Sequence, residues 1–107
     1  MAEYLLKEKY KDAAAVIVGS VLEERLRQLM TANKLNVLDV NGRPKRASVL
    51  NDELYKSDVY SKLEQKNIVA WLDLRNEAAH GHYNKYQHQQ VELMLSGIQD
   101  FLVRIRL

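Results

Sequence analysis

The stretch Leu72 to Tyr86, LDLRNEAAHGHYNKY, gathers the residue types of this chain best suited to chemistry. Arg75 offers a planar fork of N–H donors that matches phosphate oxygens, and its charge does not titrate away. His80 carries an imidazole, a group whose unperturbed pKa of about 6.5 lets it take or give a proton near neutral pH. Asn76, four residues before His80, can orient that ring or contact a substrate. A cation on a phosphate and a base beside a ribose 2′-hydroxyl suffice to cut an RNA strand without a metal ion. Arg75 and His80 are therefore the candidate catalytic residues for phosphodiester recognition or cleavage, with Asn76 in support.

On a wheel of about 100° per residue, Tyr60, Ile68, Trp71, Leu72, Leu74, Ala78 and Ala79 form an apolar arc. Asp73, Asn76, Glu77 and His80 form the opposing edge. Arg75 lies inside the apolar arc, where an unpaired buried charge is strongly unfavourable. Arg75 and His80 stand about 140° apart on an ideal helix, so they converge only at a helix end near Gly81 or across two chains. The arc also gives a reason to dimerise: packing this helix against its twin lends Ile68, Leu72 and Ala79 a partner surface. A homodimer with two Arg75 side chains edging one cleft is the resulting expectation.

A plainer reading competes with the catalytic one. Arg75 pairs with an acid such as Glu24 or Asp73, and His80 is a helix-end residue favoured by the dipole. His80, His82 and His88 lack the carboxylates or cysteines that make a specific metal signature, so no metal and no cofactor is assigned. Neither a glycine-rich phosphate loop nor a nucleophile motif is present.

The elements that must position these residues are mostly helical. From Tyr4 to about Asn33, Ala14, Val18, Val21, Leu22, Leu29 and Ala32 recur at the helical period on one face. Ser20, Glu23, Arg27 and Thr31 lie opposite, and Glu23 and Arg27 have the spacing of an ion pair. Arg25 interrupts the apolar face and so belongs at a seam. Asn41-Gly42 and Arg43-Pro44 signal turns in an irregular connection, with a short hairpin as the alternative. A short helix comes next, with Ser48 as its N-cap. Asp58 caps a long helix to about Ala79, which Gly81 ends. A last helix runs from near Lys85 to Arg104, with Val91, Met94, Leu95, Ile98, Phe101, Leu102 and Ile105 on one side. These segments predict an all-α up-and-down bundle of four to five helices.

The 107 residues fit one domain, 1–107, and 47% hydrophobic content can supply a core. A domain this small gains from oligomerising. No apolar run is long enough for a membrane span, and the charged start MAEYLLKEKY is unlike a signal peptide. Zero cysteines fit a cytoplasmic protein. A net charge of +2 makes no case for nucleic acid by itself, and the basic stretches GRPKR (Gly42 to Arg46) and RIR read as solvated surface.

Arg75 to His80, RNEAAH, resembles the hallmark of the HEPN domains, an arginine and a histidine separated by four to six residues. A polar residue usually follows that arginine, and Asn76 stands there. The blocks GSVLEERLRQL (Gly19 to Leu29), NGRPKRASVLNDELYK (Asn41 to Lys56) and IVAWLDLRNEAAHG (Ile68 to Gly81) extend the likeness, in order, over most of the chain. The resemblance implies a helical bundle that usually dimerises, bringing two Arg–His pairs into one cleft. It implies a metal-independent endoribonuclease leaving a 2′,3′-cyclic phosphate, often a toxin or defence protein with an antitoxin or other partner. Other members are non-catalytic RNA-binding or interaction modules. On the matching positions, Arg75 would hold the phosphate, His80 would transfer a proton and Asn76 would support both. One toxin subgroup carries a modified tyrosine two residues after the histidine. Here that position is His82 and the tyrosine is Tyr83, one residue later, so the resemblance does not extend to that feature.

Overall fold

A computed structural model describes residues 11–82 and 86–107 of the chain. Among them are helices α1 (Lys11–Ala32), α2 (Ala47–Lys56), α3 (Lys62–Ala79) and α4 (His88–Arg104). The all-α bundle predicted from periodicity is what forms, and α1 is its centre, packing against each of the other three. Contacts along the helices fix their directions. Lys11 donates from Nζ to the Tyr86 carbonyl at 3.1 Å, just before α4 begins. Arg25 reaches the Leu102 and Ile105 carbonyls at 3.4 and 3.5 Å, where α4 ends. So α1 and α4 run parallel, and Arg25 lies at their seam, satisfying carbonyls that a helix terminus leaves without partners. Glu64 near the start of α3 meets Arg104 near the end of α4, at 2.6 and 3.0 Å, which makes α3 antiparallel to α4.

The core takes Leu22, Leu26, Leu29 and Met30 from α1, Leu50 and Leu54 from α2, Ile68 and Leu72 from α3, and Val91, Met94, Ile98 and Phe101 from α4. Phe101 receives Tyr60 and Trp71 edge-on, with ring centroids 5.8 and 6.5 Å away. The face expected on α1 is partly shifted. Val21 is 48% exposed and Ala32 is also exposed, whereas Ala15, Leu26 and Met30 are buried. Neighbours on several sides of α1 widen and rotate its buried surface relative to a single stripe. On the arc read for α3, Tyr60, Ile68, Leu72 and Ala78 are buried but Ala79 is exposed. Ile68 and Leu72 are covered within one chain, so they need no second copy to leave water.

The helix ends were less legible. Arg46, not Ser48, is the N-cap of α2, and no side chain bonds there. Ser61, not Asp58, caps α3, accepting the Glu64 N–H at 3.2 Å. Asp58 instead ends α2. Its φ is 60°, its N–H donates to the Tyr55 carbonyl and the Val59 N–H to the Leu54 carbonyl, each at 3.0 Å. This is the Schellman arrangement, in which a left-handed residue satisfies the last carbonyls. The same closure ends α1 at Lys34, φ 59°, and α3 at Gly81, φ 75°. Only Gly81 had a residue type that announces it. The connection before α2 is irregular, with one isolated antiparallel bridge, Leu38 to Pro44, around the Asn41-Gly42 tip. Tyr4 to Tyr10 and Lys85, expected in the first and last helices, lie outside the described residues.

A buried polar cluster locks α2 and α3 in register. Asn51 is fully buried; its Nδ2 donates to the Gln65 carbonyl at 3.0 Å, and the Tyr60 hydroxyl donates to its Oδ1. Gln65 in turn donates to Asp52 Oδ1 at 2.7 Å. Burial, reinforced by the charges of Asp52 and Glu64, pushes the Tyr60 phenol far above its ordinary pKa, so it stays a donor. Tyr60→Phe should leave Asn51 Oδ1 buried without a donor and cost about 1–3 kcal/mol in urea unfolding. An unchanged unfolding midpoint would show that the cluster contributes nothing.

Candidate functional site

Arg75 sits in the penultimate turn of α3, on a side the helix turns toward α1. Its stem can lie there because α1 presents Gly19. A Cβ placed on Gly19 would stand 2.7 Å from Arg75 Cβ and 2.2 Å from Arg75 Cγ. The aliphatic part of the side chain therefore packs on bare helix backbone, while the guanidinium is carried past α1 with the side chain 30% exposed. This reconciles an arginine with an apolar arc: the methylenes are buried and the charged head reaches the edge.

The acid that meets this guanidinium is Glu23, not Glu24 or Asp73. Arg75 Nη2 lies 3.7 Å from Glu23 Oε2, while Glu23 Oε1 accepts from Arg27 Nη2 at 3.0 Å. The Glu23–Arg27 pair expected from spacing is present, and the same carboxylate also faces the candidate site. Arg75 Nη1 donates to Asn76 Oδ1 at 3.4 Å. Arg75 Nε is buried and has no hydrogen-bond partner. Its donors are thus held by long contacts, well short of the bidentate geometry a guanidinium can make with an oxyanion.

His80 is the C-cap of α3, exposed, with its backbone N–H on the Asn76 carbonyl at 3.0 Å. Arg75, Asn76 and His80 line one cleft of about 360 Å³, together with Glu23, Asp73 and Arg46. Asn76 bonds Arg75 rather than the His80 ring, so its support goes to the guanidinium. The start of α2 forms the facing wall through Ala47 and Ser48, presenting a helix end whose first N–H groups have no intrahelical acceptor.

Arg46 was missed, because GRPKR reads as ordinary solvated loop. Its one signal is its position directly before the helix pattern that begins at Ala47. The other two histidines do not line the cleft. His82 Nδ1 is 3.1 Å from Glu77 Oε2, and His88 Nε2 is 3.1 Å from Glu92 Oε1. The His80 and His82 rings are 6.0 Å apart between centroids. Among the described residues, no group of three or more His, Cys, Asp or Glu side chains is placed to hold a metal ion. None of the described helices is long and apolar enough to cross a membrane.

The arrangement suits an anion: two arginines, a polar amide and an imidazole share a concave wall, with Glu23 as an internal carboxylate near one guanidinium. The chain matches no protein-family model, and it has no significant match among curated proteins or solved structures. Because Glu23 competes for Arg75, Glu23→Gln should tighten inorganic phosphate in the cleft about 2- to 5-fold, equivalent to roughly 0.5–1 kcal/mol. Chemical-shift titration of the Arg75 and His80 signals measures this. Unchanged or weaker binding would show that Glu23 orients Arg75 without competing for it.

Proposed function

We propose that this chain is a HEPN-type, metal-independent endoribonuclease with Arg75 and His80 as its catalytic pair and Asn76 in support. The observation that carries the reading is that these three residues line one cleft at the end of α3, with the guanidinium only loosely engaged. In the reaction, His80 takes the proton from a ribose 2′-hydroxyl. The 2′-oxygen attacks the adjacent phosphorus, the 5′-oxygen leaves and is protonated, and a 2′,3′-cyclic phosphate remains. Arg75 holds the phosphate and offsets the charge that builds on its oxygens, the role in which preorganised donors contribute most. Asn76 steadies the guanidinium. The cleft wall from Arg46 adds a second cation for the RNA backbone.

A cytoplasmic toxin or defence role, with an antitoxin or other partner protein, belongs to the same proposal. A second reading, a non-catalytic HEPN module that binds RNA or protein, is favoured by the two carboxylates in the cleft. Glu23 and Asp73 lower the positive potential that a polyanion would meet.

Arg75→Lys and His80→Ala separate these readings. Lysine keeps the charge and much of the stem on Gly19 but lacks the fork. Each variant should lose at least about 100-fold in cleavage of a single-stranded RNA, with melting nearly unchanged and a chelator without effect. Activity that survives both substitutions, or that needs a divalent ion, removes the assignment. A wild-type protein that binds RNA without cutting it favours the module.

The proposal includes a homodimer with its two-fold axis near the end of α3, so that two Arg–His pairs share a cleft. Covering Ile68 and Leu72 is not its reason, since both are already buried. Exposed Ala79 and His80 beside the open cleft are the surface it would use. Ala79→Glu should convert a dimer to a monomer in sedimentation and remove cleavage together. A wild-type monomer that remains active at micromolar concentration would end the shared-site idea.

A further inference from the structure

Gly19 lies in the interior of the 22-residue helix α1, on its buried side. Glycine is a poor choice there, because it is less stable in a helix than alanine and buries no side chain. Its backbone is helical, so no turn calls for it. The reason lies across the helix interface. A Cβ on Gly19 would meet Arg75 Cγ at 2.2 Å, Cβ at 2.7 Å and Cδ at 3.4 Å. The Arg75 Cβ is fixed by the backbone of α3 and cannot swing aside. Any side chain at position 19 therefore forces α3 away from α1 and, to relieve the Cγ contact, turns Arg75 into another rotamer as well.

We infer that Gly19 is a positioning residue for Arg75: the missing Cβ is a notch through which the arginine stem crosses α1 to place its guanidinium in the cleft. The path through this notch brings Nη2 to Glu23, one turn further along α1, and leaves Nη1 beside Asn76. Without it the charge stays near the cleft, but the fork loses its alignment. Gly97 provides an internal comparison. A Cβ there would meet the Trp71 ring at 2.4 Å, so it too is a notch, but for a side chain that does not line the Arg75 cleft. The contact itself stands on geometry alone, whereas its effect on turnover rests on the ribonuclease reading.

Gly19→Ala, Gly97→Ala, Arg75→Ala and the double variant Gly19→Ala/Arg75→Ala, made in the full chain, test this. Gly19→Ala should lower kcat for RNA cleavage about 100-fold, as an ångström-scale displacement can. KM should stay within about twofold, because the charge remains; Gly97→Ala should hold kcat within about twofold while lowering the melting temperature. Melting provides the arm independent of activity. Gly19→Ala should lower the melting temperature less in the Arg75→Ala background, where Cγ and Cδ are gone, than in the wild type. If Gly19→Ala alone does not fold, recovery of folding in the double variant, or in Gly19→Ala/Arg75→Gly, which removes the Arg75 Cβ as well, supports the notch, and failure of both overturns it. Strictly additive melting shifts overturn it, and so does full kcat in Gly19→Ala when Arg75→Ala is inactive. If wild-type protein cuts no RNA, the ribonuclease reading falls and the melting comparison alone decides the contact.

Discussion

A guanidinium carried on the packed side of a helix constrains everything near it. Arg75 needs a path for its stem, a counter-charge for its head and an opening to water, all where α3 packs on α1. The stem is accommodated by the bare backbone of Gly19. Glu23, one turn along the same helix, provides the counter-charge. The opening is the cleft between the start of α2 and the end of α3. One segment of α1 thus carries both the notch and the acid, which links the placement of the candidate catalytic arginine to the central helix of the bundle.

The helix ends set where that cleft lies. Three of the helices close in Schellman arrangements, at Lys34, Asp58 and Gly81. Closing α2 at Asp58 turns the chain back into α3, so the first turn of α2 and the last turn of α3 come to the same side. The buried Asn51, Tyr60 and Gln65 fix the register between these two helices with directional bonds. Closing α3 at Gly81 leaves His80 as the C-cap, in the last turn of the helix, where it borders the cleft that Arg75 also lines. Arg75 and His80 thus border one cleft at the end of the helix.

The charge pattern of the cleft bears on both functional readings. Arg46 and Arg75 favour an anion, while Glu23 and Asp73 oppose a broad attraction for a polyanion. On the proposed ribonuclease reading, such a site would select by geometry at one phosphate more than by bulk potential, consistent with a net charge of only +2. The loose contacts to Arg75, at 3.4 and 3.7 Å, leave its strongest hydrogen bonds still to be made. An incoming oxyanion can make them.

Hydrophobic periodicity by itself determined the helical class, the four described helices and most of the residues that became core, because burying an apolar stripe is a local, additive tendency. Residue type alone also nominated Arg75, Asn76 and His80, and Gly81 as a stop. The sequence marked Glu23 and Arg27 as a pair as well, since an i,i+4 spacing needs no tertiary information. Other features depended on neighbours distant in sequence. Asp58 reads as a cap for the helix after it, yet the chain uses it to end the helix before it, and Ser61 with Glu64 takes the cap three residues later. Val21 and Ala32 belong to the apolar pattern of α1, but the packing of three helices around it left these two exposed and buried Ala15, Leu26 and Met30 besides. Which carboxylate meets Arg75, why Gly19 is a glycine and why Arg46 faces the cleft are decided only by the crossing of α1, α2 and α3. Each is a relation between side chains brought together by packing, and a one-dimensional pattern has no term for the distance between them.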